Sequence, residues 1–311
     1  MDLTNFPNGV TSFGMPVIGA GGFLTTGNVF FVDDAGSDSG YGTEPDASFA
    51  TIDYAIERCT ASHGDVIFVK EGHAETVTTA ITLDVIGVTI IGLGHGDKRP
   101  TITVNGAVNL LNITAADNRI HNVRFATGSS VTAATRFARV AASNILIQGC
   151  QFEMSYDMYH NIVTISGDDI QIRDCTFFNT VTTSASVHPQ TCILNTLATH
   201  VLVKNCRFND CGAKLAERWR AVCEGGGLAS KMTVEDSQFI VRGIATRTRS
   251  AAASDGTGTQ SPTMATLYCR AISPSANTAV GGLFVNKCQY IIESYNVAAV
   301  NKLSALFITS A

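Results

Sequence analysis

The chain has 311 residues, 45% of them hydrophobic and only 15% charged, with a formal net charge of −5. So few and so nearly balanced charges exclude a nucleic-acid binder that tracks phosphates with clustered Lys and Arg, and the apolar content excludes a disordered chain. No run of about 18 apolar residues occurs, so no transmembrane helix and no membrane partner are expected.

Residues 1–28 begin with Met1-Asp2-Leu3-Thr4-Asn5, which has no basic n-region, and Pro7, Gly9, Gly14 and Pro16 interrupt any signal-like apolar core. Phe6, Phe13, Met15, Val17, Ile18, Phe23 and Leu24 follow neither a 3.6 nor a 2 period. Such a stretch is expected to be an extended arm that gains order by burying these side chains against a partner. Residues 29–64 then read as a leading strand and a helix. Ser48 is placed to cap a helix from Phe49 to about Thr60, with Ile52, Ala55, Ile56 and Cys59 on one apolar face.

From residue 65 to 295 one unit recurs: an apolar strand, a short loop, a second strand, a polar turn, then a short strand ending on an aromatic. Ile145-Leu146-Ile147-Gln148-Gly149-Cys150-Gln151-Phe152 and Ile170-Gln171-Ile172-Arg173-Asp174-Cys175-Thr176-Phe177 are two examples. The aromatics fall at Phe125, Phe152, Phe177, Phe208, Phe239 and Tyr290. Short strands of period 2 at such a repeat describe a coiled parallel sheet whose rungs stack in register. The aromatics then form one interior column, and Cys150, Cys175, Cys206 and Cys288 another, buried and reduced. Earlier strands of the successive units read as Leu110–Ile113, Arg139–Ala141, Ile162–Ile165, Cys192–Leu194, Ala221–Cys223 and Thr266–Cys269. Nine cysteines without C-x-x-C spacing suggest neither a disulfide framework nor a zinc site.

Phe31-Val32-Asp33 with its Gly/Ser/Asp loop, Phe49-Ala50-Thr51-Ile52-Asp53-Tyr54-Ala55-Ile56, and Gly64-Asp65-Val66-Ile67-Phe68-Val69 through His73 together resemble the start of pectate-lyase-like β-helix proteins. Val88-Thr89-Ile90-Ile91-Gly92-Leu93-Gly94 resembles their early rungs. The resemblance spans about residues 29–295 and implies an all-β, right-handed parallel β-helix with an N-terminal capping helix and an extended N-terminal arm. It leaves activity open, because this fold carries lyases, hydrolases, adhesins and virion parts. Asn5-Phe6-Pro7-Asn8-Gly9-Val10 with Ser12-Phe13-Gly14 resembles the N-terminal arms of tailed-bacteriophage virion proteins.

For chemistry, the candidate acids are Asp168, Asp169 and Asp174, with Glu153 and Asp157 beside them, since glycosidases need paired carboxyls and lyases a base. Gly167-Asp168-Asp169 also reads as an ordinary turn, and Gly94-His95-Gly96 likewise. The long segments Glu153–Asn161, Phe178–Gln190, Asn209–Arg220 and Ile240–Pro262 all follow the third strand of a unit and should share one side. Trp219, the sole tryptophan, lies in the most charged of them. Residues 296–311 form an apolar C-terminal tail.

These features predict a non-enzymatic virion protein, a capsid decoration or cement protein made in the host cytoplasm. Its partner-binding residues would be Phe6, Phe13, Met15, Val17, Ile18, Phe23, Leu24 and Trp219. The partners expected are sister subunits, as a homotrimer, and the major capsid protein or another virion component. No cofactor and no metal is expected. The alternative is a receptor-binding tailspike with polysaccharide lyase or hydrolase activity.

Overall fold

A computed structural model describes residues 11–12, 15–16, 25–128, 131, 136–154, 161–179, 191–209, 219–224, 231–243, 269–274 and 283–294. It is an all-β parallel solenoid with three walls. Nine strands, from Val29–Val32 to Leu283–Asn286, build the first wall; eight, from Ala74–Val77 to Gln289–Ser294, the second; and seven, from Ile81–Leu83 to Cys269–Pro274, the third. Every strand of a wall pairs in parallel with its equivalents in the adjoining rungs, as in Phe125↔Phe152 and Ile147↔Ile172.

The polar turn between the first and second walls keeps that register. Asn122, Asp174, Asn205, Asp236 and Lys287 all adopt positive φ there, between 48° and 57°, and Gly149 does so at 66°. Asn, Asp and Gly tolerate the left-handed conformation best, which explains the turn chemistry of the repeat. The turn amides of Asn122, Gly149, Asp174, Asn205 and Asp236 also donate to the rung that follows, as Asp174 N–H does to Lys204 O at 3.0 Å.

Inside, the expected aromatic column is present. Phe125, Phe152, Phe177, Phe208 and Phe239 stack with centroids 5.3, 4.8, 4.9 and 5.0 Å apart, and Tyr290 continues their register on the backbone. Beside it runs the thiol column. Cys150, Cys175 and Cys206 are buried, and their Sγ atoms donate to the carbonyls of Ile120, Ile147 and Ile172 in the preceding rung at 3.8, 3.6 and 3.5 Å. Burial pushes the Cys175 thiol well above its ordinary range. Cys288, in the last described rung, is only half-buried, contrary to expectation.

Several boundaries differ from the sequence reading. The helix spans Ile52–Glu57, and Thr51 caps it by accepting from Tyr54 N–H at 3.4 Å. Phe49 is claimed instead by strand pairing, donating to Phe31 O at 2.8 Å and bridging Val32. Ile52, Ala55 and Ile56 are buried as the spacing predicts. The expected strand Thr266–Cys269 is displaced to Cys269–Pro274, because Val222 pairs with Ile272 to extend its column. The strand Ala74–Val77, with Val77 its only branched apolar residue, escaped the sequence reading.

Most of residues 1–28 and all of 296–311 lie outside the described residues, including Phe6, Phe13, Val17, Ile18, Phe23 and Leu24. Thr11–Ser12 pairs antiparallel with Met15–Pro16, so the chain reverses between them. No helix among the described residues is long and apolar enough to cross a membrane.

Phe177→Ala, in the middle of the stack, should cost about 3–5 kcal/mol by opening a cavity. Urea unfolding should show it as a lowered midpoint, while outward-facing Thr176→Ala should stay within about 0.5 kcal/mol of the parent.

Candidate functional site

Asp168, Asp169 and Asp174 do not meet at one point. Asp169 sits in the turn entering the strand Ile170–Arg173, with φ 56°, and Asp174 in the turn leaving it, with φ 55°. The intervening strand separates their backbones by roughly 16 Å at about 3.3 Å per residue, beyond the spacing of about 5–10 Å that paired glycosidase carboxyls use.

Each of the three is held by neighbouring turns. Asp168 accepts from Thr199 N–H at 2.7 Å and from its hydroxyl at 2.9 Å, and these bonds hold the carboxyl below its ordinary range. An acid so held is ionised near neutrality and unsuited to donating a proton. Asp169 faces His200 Nδ1 at 3.3 Å. Asp174 accepts from Gln148 Nε2 at 2.8 Å and from Asn205 Nδ2 at 2.7 Å, forming a ladder across three rungs. Asp157 lies outside the described residues. Trp219 begins the strand Trp219–Glu224 rather than ending a loop, since its backbone pairs with Cys269 in the next rung.

The outer face of the second wall gathers a different set. One outward column runs Ala126, Glu153, Phe178, Asn209 by direct register, with strands about 4.8 Å apart. The adjoining column runs Arg124, Gln151, Thr176, Arg207. Both Arg124 Nε and its terminal NH group donate to Glu153 Oε2, the former at 2.8 Å. Glu153 is therefore a partly buried, charge-paired carboxylate. Phe178 is half-buried on the side opposite Phe177. Sequence reasoning assigned Glu153 and Phe178 to loops. The signal for Phe178 was present: in Thr176-Phe177-Phe178-Asn179 two successive aromatics in a strand must face opposite sides.

In every unit the long segment leaves the second wall and returns at the third, so its described ends flank the same corner of each rung, while the residues between lie outside the described ones. The Glu153–Phe178–Asn209 column lies near their departure points. It places a carboxylate, a half-buried aromatic ring and an amide with a buried Oδ1 in succession along the wall. Among the described residues no cluster of three or more His, Cys, Asp or Glu could hold a metal ion.

Two further titratable groups serve the fold. Asp65 is fully buried; it accepts from Asn28 N–H and Thr60 N–H, each at 2.6 Å, and faces His63 Nδ1 at 2.7 Å. Burial raises its affinity for a proton, but these bonds outweigh that and hold the carboxyl below its ordinary range. At the start of the second wall Glu75 approaches His73 Nε2 at 3.3 Å and accepts from Ile52 N–H at 3.2 Å, anchoring the helix.

No family model and no curated protein matches the sequence. Among solved structures, a rhamnogalacturonan lyase is similar in fold, with a TM-score of 0.50 and 14% identity over 70% of each chain. The pectin methylesterase of Aspergillus niger gives a TM-score of 0.41 and 12% identity over 91% of each chain. The first of these likenesses supports the β-helix architecture.

The depressed Asp65 carboxyl gives a pH dependence of definite sign. Its contribution is fully present above the unfolded carboxylate value of about 4 and fades as pH falls through the lower folded value. Acid titration of unfolding midpoints should show stability dropping below about pH 4, and Asp65→Asn should flatten that drop while lowering stability at neutral pH.

Proposed function

We propose that the chain is a receptor-binding β-solenoid of the tailspike kind that holds a polysaccharide along the outer face of its second wall. The observation that carries this reading is the outward column Glu153, Phe178, Asn209, flanked by Arg124 and Arg207, next to the strand ends from which the long segments depart. The sugar would lay a ring face on Phe178 and hydrogen-bond through hydroxyls to Glu153 and the guanidinium groups. The fold likeness to a rhamnogalacturonan lyase is compatible with a saccharide ligand on such a wall. In this reading the solenoid winds in the right-handed sense that parallel crossovers favour, and the helix Ile52–Glu57 closes its N-terminal end.

Binding rather than cleavage is the activity proposed. Glu153 is paired with Arg124, and the sequence-derived acids Asp168, Asp169 and Asp174 are dispersed over two turns. If cleavage occurs, Glu153 is the first residue to test as acid or base.

A second reading, a capsid decoration protein assembled as a homotrimer on a virion, is favoured by the apolar, aperiodic stretch of residues 5–24. It predicts binding to particles that does not depend on the second wall.

Isothermal titration against a panel of bacterial surface polysaccharides tests the first reading, with reducing-end assays run alongside. Saturable binding is expected, weakened about tenfold or more by Phe178→Ala, a loss of about 1.4 kcal/mol. Glu153→Gln should weaken binding without unfolding the wall. Absence of binding to every polysaccharide, with full occupancy on virions, would overturn the first reading in favour of the second.

A further inference from the structure

The helix Ile52–Glu57 is fastened differently from the strands around it. Strands of the three walls are joined by backbone ladders, which carry no titratable group. The helix lies against Val29–Val32, Val66–Val69 and Ile81–Leu83 and turns Ile52, Ala55 and Ile56 to the core. Its backbone bonds stay local, as in Ala55 N–H to Thr51 O at 3.2 Å, and beyond it Thr60 O accepts only from nearby His63 N–H.

The hydrogen bonds that tie residues 50–60 to the walls and to the preceding loop run instead through carboxylates. Asp38 accepts from Ala50 N–H at 2.8 Å, Thr51 N–H at 3.3 Å and the Thr51 hydroxyl at 3.1 Å. Glu75, on the second wall, accepts from Ile52 N–H at 3.2 Å. Asp53, on the helix itself, accepts from Thr82 N–H of the third wall at 2.9 Å. Asp65, immediately before the first-wall strand Val66–Val69, accepts from Thr60 N–H at 2.6 Å.

Hydrogen bonds to an ionised acceptor are roughly twice as strong as neutral ones, so removing the charge weakens all four attachments together. His63 and Cys59 face Asp65, and His73 faces Glu75; among the described residues no charged side chain pairs with Asp38 or Asp53. Burial raises the proton affinity of Asp65, but its bonds to Thr60, His63 and Asn28 outweigh that and hold the carboxyl below its ordinary range. Its contribution is therefore lost as pH falls through that lowered value. Later rungs carry carboxylate bonds too, at Asp168 and Asp174, but their strands keep complete ladders when those acids are neutral.

We infer that the helix Ile52–Glu57 is an acid-released cap: protonating Asp38, Asp53, Asp65 and Glu75 detaches it from the walls while the later rungs stay wound. The apolar face draws the helix back when the acids ionise again, so the release is reversible. The inference is independent of the polysaccharide reading and leaves the outward column of the second wall in place.

Hydrogen exchange read by mass spectrometry tests it on the full chain at pH 7 and at about pH 3, below the ordinary carboxylate values. Each rate is divided by the chemical exchange rate at that pH. Protection of peptides covering residues 50–60 should fall about tenfold or more beyond that of peptides covering Ile145–Gln148 and Ile170–Arg173, and should return at pH 7. Asp53→Asn and Glu75→Gln, made singly and together, keep an acceptor oxygen that does not titrate, and should shrink this acid-induced loss severalfold. Should a substituted chain lose cap protection already at pH 7, the comparison of cap with walls in the unsubstituted chain decides. Equal loss over cap and walls would overturn the inference, as would a cap that stays protected in acid. So would substituted chains whose caps respond to acid as the unsubstituted one does.

Discussion

Everything in this solenoid depends on each rung restarting its second-wall strand at the same height as the rung before. The device that enforces this is a single residue in the left-handed region between two extended strands, repeated at Asn122, Gly149, Asp174, Asn205, Asp236 and Lys287. One residue more or fewer in that turn would flip the following strand, sending its aromatic outward. Where that turn is used, the residue after it faces inward, as Val123, Cys150, Cys175, Cys206 and Ser237 do. The residue two further on then meets its equivalents ring to ring. Stacked rings near 5 Å are therefore a consequence of turn geometry as much as of aromatic attraction. The small, weakly donating thiol suits the turn-side column, where preceding-rung carbonyls lie within its reach. Ser237 fills the same place with a hydroxyl that donates to Glu235 O and accepts from Cys206 N–H.

The interior was legible in sequence because it is periodic. Aromatics and cysteines recurring at one offset could be aligned without knowing the fold, and the rungs through Phe239 follow that alignment. Where the period lapses, legibility lapses with it. Ala74–Val77 has only Val77 as a branched apolar residue, and Glu75 occupies the position that Ile102 and Phe125 fill above it. Glu75 is there to meet His73 and the helix, a tertiary demand with no local signature. Phe49 looked helical from its neighbours, but pairing with Phe31 and Val32 outweighed a turn of helix. The long insertion before Cys269 removed the spacing that located the other third-wall strands.

The outer surface is harder to read for a related reason. A solenoid repeats its exterior as well, so many polar residues are ladder members rather than site members. Asp174 joins Gln148 to Asn205, Lys204 reaches Glu235, and Asp168 holds Thr199. Their charges are spent on neighbouring rungs. Candidate function is better sought where an outward column breaks its own pattern. The second wall does this when Ala126 is followed by Glu153, Phe178 and Asn209, four residues that do not resemble one another chemically.

The first rungs break the pattern in the opposite direction, becoming more apolar outside instead of more varied. Burying the outward side chains of Val66, Phe68 and Ile91 contributes on the order of 1.5–3 kcal/mol each. Ordering a cover costs about 1–2 kcal/mol for every residue fixed, so a cover of many residues needs more than this strip to hold it. Apolar composition in an N-terminal stretch is thus insufficient to identify an anchor. The outward face beside which the stretch joins the solenoid must be considered with it, and here that face is apolar and buried at Val66, Phe68 and Ile91.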